Sequence, residues 1–243
     1  MNSVICAKTM EFAALNKAVR QAAPGEITLQ GCLGQRYIGD GLGEEKSLVI
    51  QGVPGNGLGA YLNGARITVE GNAQDATGDT MNGGMILVRG SAGDATGYAM
   101  RGGKIYIGGD TGYRAGIHMK AYQEKQPLLV IGGCAGSFLG EYQAGGVIVV
   151  LGLNAQGKVP VNYFCGTGMH GGVIYLRSRQ LPKDLPPQVA AREADEADQQ
   201  CILAHIGEYC KLFDLDAEEI MQANFYVLTP NTQNPYHRLY TYN

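Results

Sequence analysis

The sequence predicts an all-β protein, a parallel β-helix of about 19-residue coils. Three observations carry that prediction: one segment recurs almost verbatim, strand ends fall at near-constant spacing, and glycines recur in step with them. The repeat is plainest in residues 71–88 (GNAQDATGDTMNGGMILV) and residues 90–107 (GSAGDATGYAMRGGKIYI), offset by 19 residues.

Aligning the residues that end each strand gives Gly31, Gly52, Gly71, Gly90, Gly109, Gly133, Gly152 and Ser178, with spacings of 21, 19, 19, 19, 24, 19 and 26. Four positions earlier stand Ile27, Leu48, Ile67, Ile86, Ile105, Leu129, Ile148 and Ile174. Two positions earlier stand Leu29, Ile50, Val69, Val88, Ile107, Ile131, Val150 and Leu176. All sixteen are aliphatic. The position just before each end holds Gln30, Gln51, Glu70, Arg89, Gly108, Gly132, Leu151 and Arg177. Alternation of this kind is the period-two signature of strands with one buried face. A 19-residue period is too short for a βαβ unit, which needs about 30 residues, and suits strands that stack on their counterparts one coil on. Met81, Met100 and Met119 fall at the same step and read as a further internal ladder. At about 4.8 Å per coil, eight strands predict a rod on the order of 35–40 Å long, whose strand edges need covering.

The chain divides into three segments on this reading. Residues 1–25 form a cap: a short strand over 4–7, then a helix with Thr9 as N-cap and Phe12, Leu15, Val19 and Ala22 on one face, ended by Pro24-Gly25. Residues 26–178 form the β-helix, with insertions at residues 113–127 and 154–172 that are expected to project from it. Residues 179–243 form a C-terminal helical segment and an extended tail. Within it a helix is expected from about 188 to 213, with Asp216 and Glu219 as a capping-box pair for a second helix. A strand over 225–228 and the Tyr-rich residues 231–243 follow.

Composition excludes several classes. The chain has 243 residues, 17% of them charged, and a net charge of -3, so it lacks the basic clusters that nucleic acid or an anionic membrane would require. No apolar run approaches the roughly 20 residues of a membrane span, and a soluble, cytoplasmic protein is expected. Its 37 glycines are about twice the average share and fall at coil corners.

Few residues suggest chemistry. The clusters at residues 39–43 and 55–59 lead into further strands rather than a helix N-terminus, so they do not read as phosphate loops. Cys6, Cys32, Cys134, Cys165, Cys201 and Cys210 contain no Cys-x-x-Cys pair and read as free buried thiols, not as ligands of zinc or of an iron–sulfur cluster. His118 and His170 lie in the two insertions and invite comparison as a catalytic pair, but neither has a carboxylate or cysteine at metal-ligand spacing. Asp75 and Asp94 are equivalent residues of the DATG turns. They read either as a cation or acid–base pair or as caps of their own turns through local backbone bonds. No catalytic, cofactor-binding or metal residue is assigned.

The stretches GQRYIGDGL (34–42), GVPGNGLGAYLNG (52–64), GNAQDATGDTMNGG (71–84), GYAMRGGKIYI (97–107), GYRAGIHMKAY (112–122) and GTGMHGGVIY (166–175) resemble the GXGXG domain of glutamate synthase. That domain is the C-terminal right-handed β-helix of the large subunit, and this chain looks like its stand-alone form. The resemblance implies a non-catalytic subunit in a cytoplasmic complex, between a glutamine amidotransferase and a synthase part that carries FMN and an iron–sulfur cluster. Both groups are then expected on partner subunits and none on this chain. A related β-helix occurs in formylmethanofuran dehydrogenase, as one of its subunits, which leaves that or another flavin and iron–sulfur complex as the alternative assembly. Arg36, Tyr37, Tyr113, Arg114, His118, Lys120 and His170 are the residues expected to face a partner, Arg and Tyr being common interface anchors. Two other readings are a free-standing enzyme using His118 and His170, and a protein that stacks end to end.

Overall fold

The computed structural model describes residues 3–231. The chain opens with strand β1 (Ser3–Cys6) and helix α1 (Phe12–Gln21) and then enters the eight strands of the repeat. These are β2 (Gly25–Leu33), β3 (Lys46–Val53), β4 (Asn63–Val69), β5 (Gly83–Val88), β6 (Lys104–Ile107), β7 (Leu128–Ile131), β8 (Ala144–Val150) and β9 (Gly171–Arg177). Each pairs in parallel with the next, so the chain is a parallel β-helix.

The register matches the alignment of strand ends. Ile27 lies opposite Leu48, Leu48 opposite Ile67, Ile67 opposite Ile86 and Ile86 opposite Ile105. The column continues through Leu129, Ile148 and Ile174. All sixteen predicted residues belong to one buried core, with Met81, Met100 and Met119 among them. Each such aliphatic side chain contributes on the order of 1.5–3 kcal/mol through removal from water. A second, thinner ladder of parallel bridges links Ala92, Thr111, Ala135 and Val161.

The expectation of one buried face holds only for the first coils. On the outer face, Thr28, Val49 and Thr68 are half-buried, whereas Leu87, Tyr106, Val130, Val149 and Tyr175 are buried. The cover is helix α2 (Glu196–Leu212), whose Ile202, Ile206, Tyr209 and Cys210 share a cluster with those strand residues. The hydroxyl of Tyr209 donates to the Ile107 carbonyl at 3.3 Å, and its ring meets Tyr106 edge-on at 5.8 Å. This approach requires Gly132, where a Cβ would stand 2.1 Å from that hydroxyl. Around the contact, Lys104 pairs with Glu208 at 2.5 Å and the Tyr106 hydroxyl donates to Glu208 at 3.1 Å. Burial opposes the charge on Glu208, but these hydrogen bonds outweigh it and lower its pKa. Burial, with the Glu208 charge added, drives the Tyr106 pKa up.

Both ends depart from expectation in detail. The N-cap of α1 is Glu11, not Thr9, and it makes no side-chain cap bond. The first strand edge is covered by β1, which pairs with β2, while α1 places Leu15 and Val19 in the core. Lys46 fastens the helix by donating to the Val19 and Arg20 carbonyls at 3.2 and 2.7 Å.

At the other end, the start of the expected long helix is a strand, β10 (Val189–Glu193). It precedes α2, the short helix α3 (Ala217–Met221) and the last strand β11 (Phe225–Pro230). β11 pairs antiparallel with both β9 and β10, completing an 11-stranded sheet. Pairing with β11 overrides the helix preference of the Ala-rich stretch. The reciprocal capping box belongs to Asp195 and Asp198 of α2. Asp216 caps α3 from one side only, accepting from the Glu218 and Glu219 amides. The tail expected from residue 231 lies outside the described residues beyond Asn231.

Candidate interaction face at the coil corners

In every coil the corner after the strand takes left-handed backbone at alternate residues. The triplets are Tyr37, Gly39, Gly41; Gly57, Gly59, Tyr61; Ala76, Gly78, Thr80; Ala95, Gly97, Ala99; Arg114, Gly116, His118; Phe138, Gly140, Tyr142; and Phe164, Gly166, Gly168. The middle residue is always glycine, and at every corner but that of Gly97 a Cβ there would collide with a neighbouring side chain: on Gly78 it would stand 2.3 Å from Cδ1 of Ile105.

Hydrogen bonding between coils fixes this conformation. The flanking amides donate forward, Tyr61 to the Asp79 carbonyl at 2.8 Å and His118 to the Glu141 carbonyl at 2.9 Å. The middle amide donates backward, as Gly78 does to Leu58 and Gly116 to Thr96, each at 2.8 Å. Backbone groups that no regular strand serves are thereby satisfied.

The flanking positions carry bulky side chains even though a left-handed backbone costs a residue with a Cβ roughly 1–2 kcal/mol. Tyr37, Tyr61, His118, Phe138, Tyr142 and Phe164 occupy them. Their rings associate along the rod. His118 stacks on Tyr142 at 5.2 Å and 10° and meets Tyr98 edge-on at 5.9 Å; Phe138 stacks on Phe164 at 5.1 Å. Arg114 lies over the Phe138 ring at 5.5 Å and pairs with Glu141 at 2.9 Å. Tyr37, Tyr61, Tyr98, Tyr113, Tyr163 and Phe164 remain exposed. Aromatic rings in water, three of them (Tyr37, Tyr61 and Phe164) held on strained backbone where glycine would relax it, have the composition of an interaction surface.

Of the residues expected to face a partner, Tyr37, Arg114 and His118 stand in these columns, and Tyr113 is exposed beside Arg114. Arg36 lies over the Phe12 ring at 5.0 Å at the N-terminal end. Lys120 is exposed just past the corner, with its amide bound to the Met100 carbonyl at 3.0 Å. His170 lies past the last corner, its Nδ1 3.2 Å from the Gly168 carbonyl oxygen. It is thus two coils from His118 and in a different column, an arrangement that does not make the two a catalytic pair. Sequence reasoning missed Tyr61, Tyr98, Phe138, Tyr142 and Phe164. Their signal was present, since Phe138 and Tyr142 follow Arg114 and His118 by 24 residues, the local coil length.

The DATG aspartates bond between coils rather than within their own turns. Asp75 accepts from the Asp94 amide at 2.9 Å, and Asp94 accepts from the Tyr113 amide at 2.8 Å. A parallel row runs from Asn72 to the Ser91 amide, Ser91 to the Asp110 amide and Asp110 to the Cys134 amide. The six thiols are free but not uniformly buried: Cys6 and Cys201 are exposed and Cys134 is half-buried. Burial raises the pKa of Cys32 to about 11 and, with Asp184 adding, that of Cys165 to about 12. Among the described residues, no three His, Cys, Asp or Glu side chains form a metal-holding group, and no helix is long and apolar enough to cross a membrane.

Stacked coils with glycine-lined corners and inter-coil polar ladders define a β-solenoid of the GXGXG type. The chain belongs to that family: the GXGXG motif model matches residues 9–232. It is also 45% identical over 252 aligned residues to the uncharacterized protein MJ1350 of Methanocaldococcus jannaschii, covering 98% of this chain and 96% of that protein.

Proposed function

We propose that this chain is a non-catalytic assembly subunit of a glutamate synthase-type complex, in which partner chains convert glutamine and 2-oxoglutarate to glutamate. The β-helix holds an ammonia-releasing amidotransferase and an FMN and iron–sulfur synthase part in fixed relation. Both cofactors belong to those partners on this reading. Membership in the GXGXG family supports it, and the corner face carries it: exposed rings kept on strained backbone are hard to account for in a rod with nothing to bind.

The test is affinity isolation of the tagged full-length chain from its native cells, followed by identification of co-purifying proteins. An amidotransferase and a flavin-containing synthase are expected. Replacing Tyr61 and Tyr142 with glycine should release them, on the order of 2 kcal/mol being lost for each anchoring ring, while relief of the left-handed strain offsets the lost ring contacts and the melting temperature changes little. Recovery of a molybdenum or tungsten oxidoreductase instead, or near-stoichiometric flavin on the isolated chain, would overturn the reading.

A further inference from the structure

The second insertion and the C-terminal segment enclose a cleft of about 800 Å³ at the far end of the rod. Three cationic side chains line it: Lys158 from the insertion, Arg177 at the end of β9, and Arg179 just beyond. One carboxylate, Glu219 of α3, opposes them. Among the described residues none of the three cations is in an ion pair, although Arg20, Arg89, Lys104, Arg114 and Arg192 all are. Arg177 is tethered by one bond from Nη1 to the Leu151 carbonyl at 3.2 Å, and its buried Nε has no partner. The insertion adds two left-handed residues in succession, Gln156 (φ 51°) and Gly157 (φ 80°). Both are exposed and line the cleft. Three cations outside any ion pair, against one carboxylate, leave the cleft with a positive excess, and guanidinium and ammonium groups bind carboxylate and phosphate oxygens through charge-assisted hydrogen bonds.

We propose that this cleft binds a small multivalent oxyanion, either a polycarboxylate or a phosphorylated compound. Bound there, the ligand bridges the inserted loop of the β-helix to the α3–β11 turn. The site is separate from the corner face and does not depend on its partner.

The experiment is isothermal titration of the full-length chain at low salt with citrate and with pyrophosphate, against sodium chloride at matched ionic strength. Saturable one-site binding of at least one anion is expected. Citrate alone would identify the ligand as a polycarboxylate and pyrophosphate alone as a phosphate compound. The double variant Lys158→Ala/Arg179→Ala should weaken binding by about tenfold or more, since each loses a charge-assisted contact, and Glu219→Gln should strengthen it. Lys17→Ala/Arg101→Ala, away from the cleft, should leave it unchanged. Equal binding by the Lys158/Arg179 variant, given an unaltered circular dichroism melt, would overturn the proposal. So would the lack of saturable heat tighter than about 10 mM for both anions.

Discussion

Gly78 and Gly41 share a left-handed backbone, with φ of 73° and 65°, but differ in surroundings. At Gly41 a Cβ would meet nothing within 4 Å, whereas at Gly78 it would collide with the core at Ile105. Gly41→Ala should therefore cost only backbone strain, about 1 kcal/mol. Gly78→Ala adds overpacking and should cost about 2–4 kcal/mol. Urea titration of both variants measures this, and equal losses would show that the middle glycine is not held by the core. The inward aliphatic residues were legible because their period and coil spacing coincide at sixteen positions. The corner side chains were less so, because Gly57, Tyr61, Thr80 and His118 look unrelated until the conformation that equates them is known.

Helix α2 converts half of the outer sheet surface from solvent-facing to buried. Its signal lay in two places. The outer strand positions change from Thr28 and Thr68 to Leu87, Tyr106 and Val149 along the chain, and the helix repeats Ile202, Ile206, Tyr209. Neither says alone that the two meet. β10 was less legible still, since its residues favour a helix and only β11, more than thirty residues later, makes them a strand. His205 reports on the α2 contact. Burial first, and then the nearby Lys104 charge, depress its pKa; it lies beside the Tyr175 ring at 6.3 Å. The folded chain therefore prefers neutral His205, whereas the unfolded chain takes up a proton near pH 6.5. Stability attributable to this group is complete above that pH and falls as pH drops from about 6.5 toward the depressed folded value. The urea midpoint should decline between pH 7.5 and 5.5, and His205→Gln should flatten that decline. Glu208, whose pKa is lowered, stays ionised across this window. An identical slope in the variant would remove His205 as the cause.

For the molecule as a whole, coils are interchangeable only where α2 does not rest on them. Deleting residues 53–71 removes the β4 coil and joins Gly52 to Asn72, as Gly71 was joined before. Because repeat stability is a sum of units and neighbour contacts, this variant should still melt cooperatively. Deleting residues 91–109 is formally equivalent, but it removes Lys104, Tyr106 and Ile107, which seat α2. That variant should lose the cooperative melt and elute as larger species. Circular dichroism and size-exclusion chromatography distinguish them, and equal damage from both would refute the clamp. The coil count and the rod were legible at this scale because local spacing dictates them. The cationic cleft was not, because Lys158 and Glu219 meet only through the C-terminal return of the chain.

The alternation of amide direction at the corners has an electrostatic consequence. Peptide dipoles in an α-helix add along its axis, but here alternate corner amides donate forward and backward between coils, two each way, as Ala76 and Thr80 do forward and Gly78 and Asn82 backward, and strand dipoles largely cancel as well. The rod therefore has no counterpart of the helix macrodipole, and its two ends are not made positive and negative by the backbone. Any polarity between them is written in side chains, with Lys158, Arg177 and Arg179 at the far end free to set the local potential.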